Sequence, residues 1–196
     1  MARLFDILFS AVALVIFLPV FTIVAVLIKW ESKGPILFHQ ERIGKNTKPF
    51  KILKFRTMFL GSDKKGLLTV GGRDSRITRV GIFLRKYKID ELPQLVNVLK
   101  GDMSIVGPRP EVEKYVKLYT PEQSKVLTVR PGISDFASIE FRNENEILSN
   151  ADDPEKIYIE EVMQKKLELN QKFISDPSIS NYFRVIFKTI AAVFSK

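Results

Sequence analysis

Cysteine is absent from the 196-residue chain, and histidine occurs once, as His39. The absence of cysteine excludes disulfide scaffolds, zinc–thiolate sites, iron–sulfur clusters and thiol nucleophiles, and it fits a reducing compartment. A single histidine argues against a His-rich metal site and a Ser-His-Asp triad, so we expect His39 to be a structural strand residue. If the chain is an enzyme, carboxylates, lysines and arginines must perform its chemistry.

The chain is long enough for one compact domain with an appendage, but too short for two full domains. Hydrophobic residues make up 45% of the sequence, which argues against disorder of the chain as a whole. Lys and Arg number 31 against 22 Asp and Glu, so the net charge is +9. An excess of this size indicates anionic partners.

The longest uncharged run extends from Ile7 to Ile28 and is rich in Leu, Ile, Val and Phe. As one helix it would measure roughly 33 Å, close to the ~30 Å thickness of the hydrocarbon core of a bilayer. No small-residue cleavage site follows it, which favours a retained anchor over a cleaved signal peptide.

Pro19 lies near the middle of this run and predicts a kink there. A kinked spanning helix and a helix that bends and returns to the same face both fit. Positive charge on both flanks, from Arg3, Lys29 and Lys33, mildly favours two cytoplasmic ends. The residues alone leave both topologies open.

Charge is unevenly distributed along the rest of the chain. From Lys29 to Lys88 there are 16 Lys and Arg against 4 Asp and Glu, whereas Ser134 to Glu168 has 4 against 10. A basic block next to a membrane anchor suits anionic headgroups or a phosphorylated substrate. Because no nucleic-acid motif accompanies the block, we expect no nucleic-acid partner.

Two short strands are predicted, from Pro35 to Gly44 and from Pro49 to Met58. Lys54 and Arg56 share one face of the second strand and could together bind a phosphate, although a solvated strand face is the alternative. A polar loop is predicted from Gly61 to Gly72, without the spacing of a phosphate-binding loop.

Besides the apolar run and a helix that ends at Gly101, three helical regions are predicted. An amphipathic helix over Ser75–Lys88 suits either the membrane interface or a protein core. A long charged helix is predicted over Pro154–Phe173, and an apolar face recurs from Tyr182 to Phe194 after a break at Asp176–Ser178. The last face could dock on the membrane or close the core.

Asp90 and Glu91 precede a predicted helix that ends at Gly101. Asp90 is the expected N-cap, and surrounding cations are expected to keep both carboxylates charged. An ionised aspartate among cations can attack phosphorus or hold a divalent metal. Capping alone is the alternative.

Two arginine–proline turns follow this helix. Pro108 and Pro110 flank Arg109 and fix the backbone on both sides, so they hold a guanidinium that suits bidentate phosphate binding. A second such turn contains Arg130 and Pro131.

The order of these motifs is specific, although each alone would be weak. An apolar segment with a central proline is followed by Lys54-Phe55-Arg56-Thr57-Met58, Asp90-Glu91-Leu92-Pro93-Gln94-Leu95, Asn97-Val98-Leu99-Lys100-Gly101-Asp102-Met103-Ser104, Gly107-Pro108-Arg109-Pro110 and Arg130-Pro131-Gly132. From about residue 3 to residue 134 the chain closely resembles the bacterial sugar transferase family, the small monotopic phosphoglycosyl transferases that start lipid-linked glycan assembly.

The resemblance implies a mostly helical α+β fold. Residues 1–30 would form a re-entrant membrane helix broken at Pro19. Residues 31–196 would form one small catalytic domain, with a short β-hairpin and amphipathic interfacial helices. This domain would lie on the cytoplasmic face of the bacterial cytoplasmic membrane.

The resemblance also implies the reaction and its participants. A sugar phosphate would pass from a UDP-sugar to polyprenyl (undecaprenyl) phosphate with release of UMP, and Mg²⁺ would be required. Asp90 would be the nucleophile that forms a phosphosugar–aspartyl intermediate, Glu91 would be its partner, and both would be metal candidates. The predicted substrate-binding residues are Lys54, Arg56, Arg85, Arg109 and Arg130.

The sequence departs from the family's pattern in two places. The segment after Ile133 lacks the family's Gly-Trp-Ala-Gln-like run, and Leu18 precedes Pro19 where a small polar residue is usual. The first departure leaves the identity of the sugar open. Self-association into a homo-oligomer also stays open. Two rival functions also stay open: a noncatalytic adaptor that binds anionic lipids and a membrane-spanning regulator.

Overall fold

The computed structural model describes residues 2–62 and 74–194, so the predicted loop over Gly61–Gly72 lies mostly outside the described residues. The helices are α1 (Ala2–Ile16), α2 (Leu18–Glu31), α3 (Arg79–Lys86), α4 (Gln94–Lys100), α5 (Glu113–Val116), α6 (Phe136–Glu140), α7 (Glu144–Ser149), α8 (Pro154–Ile157), α9 (Met163–Ser175) and α10 (Ile179–Phe194). The strands are β1 (Leu37–Ile43), β2 (Pro49–Phe55), β3 (Ser104–Val106) and β4 (Gly132–Ser134).

The predicted mostly helical α+β class is confirmed. The strands β1 and β2 form an antiparallel hairpin, and β3 and β4 form a parallel pair. Short 3₁₀ turns occupy Lys45–Thr47, Ile89–Glu91 and Gln123–Thr128. The long helix predicted over Pro154–Phe173 is present as α8 and α9, joined by a π-helical turn at Tyr158–Val162.

The N-terminal apolar run forms two helices rather than one. Proline is tolerated in the first turn of a helix, where no backbone N–H donor is needed, and Pro19 lies in the first turn of α2. Within the described residues, no single helix is long and apolar enough to cross a membrane. The pair Arg3–Ile16 and Leu18–Glu31 together has the length and composition to do so, and it bends by 60°. A break therefore occurs where Pro19 predicts one.

The first turns of α1 are fastened to the rest of the protein by polar contacts. Arg3 donates to the carbonyl oxygen of Val98 at 2.7 Å, at the end of α4. Asp6 is 2% exposed and accepts hydrogen bonds from Ser104 Oγ, the Ile105 amide and the Tyr182 hydroxyl. These contacts join α1 to α4, β3 and α10.

The hairpin has the register Leu37↔Phe55 through Ile43↔Pro49. Its connection is tight because Asn46 and Thr47 both adopt positive φ, 55° and 59°. Ile52 and Phe55 are buried at the base of β2, and their clusters join the hairpin to α4 and to α2 with α3. His39 lies on β1, as predicted.

The C-terminal helix α10 confirms one of the two expectations for its apolar face, that it closes the core. Tyr182 and Val185 are buried against the core formed by β2, α4 and β3. Phe187 and Ile190, by contrast, are 68% and 50% exposed. One side of the helix closes the core, and an apolar surface is left on the other.

The parallel pair β3–β4 brings two glycines into close backbone contact. The amide of Gly107 donates to Ser134 O at 3.0 Å and the amide of Gly132 donates to Pro108 O at 3.0 Å. A Cβ at Gly132 would overlap the backbone nitrogen and carbonyl oxygen of Gly107. Only glycine fits at position 132, because it packs against Gly107, the residue directly before the turn that contains Arg109.

We expect Gly132→Ala to lower the free energy of unfolding by about 2–3 kcal/mol, because the backbones of β3 and β4 must separate. Chemical denaturation in detergent measures this. Thr128→Ala, at a nearby exposed position, is the control and should change stability by no more than about 0.5 kcal/mol. Equal stability of the two variants would contradict the close approach.

Candidate active site

Asp90 and Glu91 lie in a 3₁₀ turn between α3 and α4. The turn begins after Lys88, which adopts the left-handed conformation with φ 57°, and α4 begins only after Pro93. No side-chain hydrogen bond caps the 3₁₀ turn or the start of α4. The prediction that Asp90 is a helix N-cap is therefore wrong, because Asp90 lies inside the 3₁₀ turn and Pro93 is the residue that precedes α4. The predicted end at Gly101 is confirmed, with φ 93°.

Glu91 is held by two cations. Arg109 donates from Nη1 to Oε2 at 3.0 Å and from Nη2 to Oε1, and Lys54 Nζ donates to Oε1 at 3.1 Å. Burial opposes ionisation of Glu91, but Arg109 and Lys54 outweigh it, and the pKa of Glu91 lies well below its ordinary value. Glu91 is therefore an ionised carboxylate, as expected from the sequence.

Asp90 has the opposite electrostatic environment, although it is the neighbouring residue. Burial, and then the charge of Glu91, raise the pKa of Asp90 above its ordinary value despite Lys54, Lys88 and Arg85. Burial and Glu91 thus oppose the ionisation of Asp90 that the sequence analysis expected from the surrounding cations. Oδ1 is buried and has no hydrogen-bond partner within the described part of the chain.

Both carboxylates line a cavity of about 1100 Å³, slightly above the range typical of small-molecule sites. Asp90 is 6% exposed but lies against this cavity rather than against a packed core. Four of the predicted substrate-binding residues also line it: Lys54, Arg56, Arg85 and Arg109. The fold thus brings together side chains from β2, α3, the 3₁₀ turn and the turn after β3.

Arg130 lies apart from this group. It is exposed, it is not among the described residues that line the cavity, and its Nε donates to the carbonyl oxygen of Gly101 at 2.9 Å. The structure therefore gives it a contact with the end of α4 and none with the carboxylate pair.

Arg56 and Lys54 do not act as a pair, contrary to the expectation from their alternation on the strand. The guanidinium of Arg56 donates to Pro35 O at 2.7 Å, Ser32 Oγ at 2.8 Å and Ser32 O at 2.9 Å. Lys54 contacts Glu91 instead. Arg56 fastens the end of β2 to the segment after α2, and its role in phosphate binding stays a prediction.

Arg56→Ala is expected to lower the free energy of unfolding by about 3 kcal/mol, because three hydrogen bonds of a 5% exposed side chain are lost. Denaturation midpoints in detergent measure it, with Lys51→Ala on the exposed side of β2 as the control. Unchanged stability with weaker nucleotide binding would contradict this structural role and support the phosphate contact.

Arg85 points its Nε at Thr57 Oγ1, at 2.9 Å. Burial lowers the pKa of Arg85, although Asp90 and Asp74 act in the opposite direction. An arginine with a normal pKa above 12 stays charged even so, which leaves a desolvated cation beside the cavity that also contains Asp90.

The sequence analysis did not predict a role for Asp135. In the structure this residue is fully buried, with 0% exposure. Its Oδ2 accepts the backbone N–H of Arg109 at 3.0 Å, and its Oδ1 accepts the N–H of Ser138 at 2.6 Å. Asp135 thus caps α6 and holds the Arg109 turn. An aspartate just before a short apolar–polar pattern is a helix-cap signature that could have revealed it.

The carboxylates suit a divalent metal that is completed by a substrate. Among the described residues, no group of three or more His, Cys, Asp or Glu side chains could hold a metal. Mg²⁺ commonly takes one or two protein carboxylates, with waters and substrate phosphates as its other ligands. Asp90 Oδ1 is a hard oxygen that no described residue contacts by a hydrogen bond, whereas both Glu91 oxygens are already bound by cations. The donor set therefore fits Mg²⁺ mainly through Asp90.

The fold and the site define a protein that presents a buried carboxylate pair and several cations to one cavity, beside a bent apolar helix pair. The chain belongs to the bacterial sugar transferase family, whose family model matches residues 1–196. The resemblance stated from the motifs is thereby confirmed, and it extends past residue 134.

The chain is also similar to three individual proteins. It is 39% identical over 193 residues to the UDP-N-acetylgalactosamine-undecaprenyl-phosphate N-acetylgalactosaminephosphotransferase of Aeromonas hydrophila, covering 97% of this chain and 43% of that protein. It is 36% and 34% identical to the UDP-glucose:undecaprenyl-phosphate glucose-1-phosphate transferases of Klebsiella pneumoniae and Caulobacter vibrioides. Those matches cover 96% and 98% of this chain, and 39% and 69% of the relatives. The chain thus spans less than half of the Aeromonas and Klebsiella proteins.

Proposed function

We propose that the chain is a phosphoglycosyl transferase that moves a sugar-1-phosphate from a UDP-sugar to undecaprenyl phosphate and releases UMP. The observation that supports this most directly is a buried Asp90 oxygen that has no hydrogen-bond partner in the part of the chain that the structure describes. It lies next to a Glu91–Arg109–Lys54 cluster in one cavity. Family membership and the names of the relatives, which specify undecaprenyl phosphate as the acceptor, support the substrates.

The proposed reaction has two displacements at one phosphorus atom. In the first, an Asp90 carboxylate oxygen bonds to the sugar-bearing phosphorus, and the bond to the bridging oxygen breaks, so UMP leaves with that electron pair. In the second, an oxygen of undecaprenyl phosphate bonds to the same phosphorus, and the aspartyl–phosphorus bond breaks. Two successive steps mean that UMP and the lipid phosphate need not occupy the site together.

Electrostatic repulsion between anions is the main obstacle, and the cations of the site address it. Arg109 and Arg85 both line the cavity with Asp90, where low dielectric strengthens their effect on a phosphate. Glu91 fixes Arg109 and Lys54 in place by direct hydrogen bonds. We therefore assign Glu91 to organising the two cations as well as to assisting Asp90.

Mg²⁺ is the proposed cofactor, with Asp90 as its main protein ligand and Glu91 as a further candidate. When bound, it would neutralise negative charge on the phosphates.

We propose a membrane-surface location, with α1 and α2 as a re-entrant pair in the cytoplasmic membrane. The 60° bend supports it, as do the exposed apolar side chains on both helices and on α10, among them Val15, Ile23 and Phe187. Both ends of the pair would then lie on the cytoplasmic face together with the catalytic domain.

The topology can be tested directly because the chain has no cysteine. Single cysteines at Ala2→Cys and Asp152→Cys should both resist a membrane-impermeant maleimide in intact spheroplasts and both react in inside-out vesicles. Asp152 is an exposed position of the catalytic domain and is the internal control. Labelling of residue 2 from the outside would instead indicate a spanning helix and contradict the re-entrant pair.

The adaptor alternative required Asp90 to serve only as a helix cap. No side-chain cap is formed at the 3₁₀ turn or at α4, so capping does not explain why an aspartate stands at position 90.

The proposed reaction is tested with the full chain in lipid nanodiscs, undecaprenyl phosphate, Mg²⁺ and a panel of UDP-sugars. We expect release of UMP that depends on the lipid phosphate. The panel contains UDP-glucose, UDP-galactose and their 2-acetamido counterparts. Release of UDP would indicate sugar transfer without phosphate, and no release from any donor would contradict the proposal.

A further inference from the structure

The cavity extends well beyond the carboxylate pair. It continues between α6 and α9, where its lining includes Ser138 and Asn170 together with apolar side chains such as Ile139 and Leu167. On this side, α6 belongs to the segment after Ile133 that departs from the family's sequence pattern. The proposed phosphate chemistry uses none of its residues.

Two polar side chains at this end have buried atoms without partners. Asn170 is 5% exposed, and its Oδ1 has no hydrogen-bond partner among the residues that the structure describes; the same holds for the hydroxyl of Ser138. An unsatisfied buried polar group is unfavourable for folding. Such groups in a cavity wall suit a ligand that supplies the missing hydrogen bonds.

A short chain of contacts connects this end to the reacting groups. Ser138 donates its backbone N–H to Asp135, Asp135 accepts the backbone N–H of Arg109, and the Arg109 guanidinium donates to Glu91. The start of α6 is thus fixed relative to the Arg109 turn. Asp90, Ser138 and Asn170 all line this one cavity, so it offers space beside α6 and α9 for a group attached to a phosphate near Asp90.

We propose that Ser138 and Asn170 bind the hexose of the UDP-sugar and help to select it. This rests on the function proposed above and adds the residues that recognise the sugar. A hexose fits because its ring presents hydrogen-bond donors around an otherwise apolar ring face. Either a ring hydroxyl or the N–H of a 2-acetamido group could donate to Asn170 Oδ1.

The test uses Ser138→Ala and Asn170→Leu in the full chain. Each should raise the KM for the preferred UDP-sugar roughly three- to tenfold, the range expected for one neutral hydrogen bond. Inhibition by UMP, which lacks the sugar, should stay unchanged. The thermal midpoint should stay equal or rise, because leucine at position 170 removes an unsatisfied polar group.

Ser10→Ala is the matched control, since Ser10 on α1 has a fully buried hydroxyl that also lacks a partner within the described residues and is not among the described residues that line the cavity. Its KM for every donor should equal that of the unmodified chain. If Asn170→Leu affects only 2-acetamido donors, the acetamido N–H is the partner; if it affects both members of each pair, a hydroxyl is. Either result supports the site.

Equilibrium binding of UDP-sugar and UMP to the same variants gives a readout that is independent of turnover. The unmodified chain should bind the preferred UDP-sugar more tightly than UMP, and the two variants should lose that advantage. Unchanged KM and binding in both variants would overturn the sugar site while leaving the transferase activity intact, and would indicate buried water at these atoms. Failure of UMP release in the unmodified chain would instead contradict the proposed function.

Discussion

Replacing Asp90 with asparagine is expected to abolish sugar-phosphate transfer, with a loss of about a thousandfold or more in kcat. The amide keeps the size of the side chain but cannot form the proposed aspartyl–phosphorus bond. Labelled phosphosugar should therefore no longer be trapped on the protein when the lipid phosphate is omitted. Stability should be equal or greater, because the variant removes an ionisable group that burial and Glu91 disfavour in its charged form.

Asp152→Asn makes the same chemical change at an exposed loop position and is the control. It should trap labelled phosphosugar and turn over as the unmodified chain does. An Asp90→Asn chain that retains full transfer would exclude the covalent route. A chain that retains trapping but loses transfer would place the nucleophile elsewhere.

The different environments of Asp90 and Glu91 could not be derived from the sequence. Asp90 and Glu91 are adjacent in the chain, and both are surrounded by cations in the sequence count. In the fold, Arg109 comes from a turn that follows β3, and Lys54 comes from β2, and both contact Glu91. Oppositely shifted pKa values in one pair of acids are typical of catalytic sites.

Local patterns predicted the elements whose determinants are local. Alternation gave the two strands of the hairpin, the central proline gave the break between α1 and α2, and Gly101 gave the end of α4. The strand pattern failed for Lys54 and Arg56, because the chain leaves the strand after Phe55 and directs Arg56 to Ser32 and Pro35.

The contacts that the sequence did not predict join distant parts of the chain, both in the site and elsewhere in the fold. Asp135 contacts Arg109 across 26 positions, and Asp6 contacts Ser104 across 98. No repeating pattern in the sequence predicts either contact. The motif resemblance ended near residue 134, just before the helices that close the far end of the cavity, so Ser138 and Asn170 could be found only in the structure.

Arg109→Ala should weaken both the fold and the reaction. It leaves Glu91, a side chain that is only 10% exposed, with Lys54 as its remaining hydrogen-bonded cation. Removing one partner of a buried pair typically costs about 3 kcal/mol or more of unfolding free energy. Transfer should fall by about a hundredfold or more, because a preorganised cation of the site is lost. Denaturation curves and initial rates of UMP release measure the two effects.

Arg42→Ala separates the two effects, since it also breaks a partly buried pair, between Arg42 and Glu111 at 2.9 Å. It should lose stability to a similar degree but retain most of the rate at temperatures where it stays folded. Arg109→Lys should recover part of the stability and little of the rate, because an ammonium cannot replace the two parallel hydrogen bonds of the guanidinium. If Arg42→Ala slowed the reaction as much as Arg109→Ala, the rate loss would follow from destabilisation alone, and Arg109 would have no role in the chemistry.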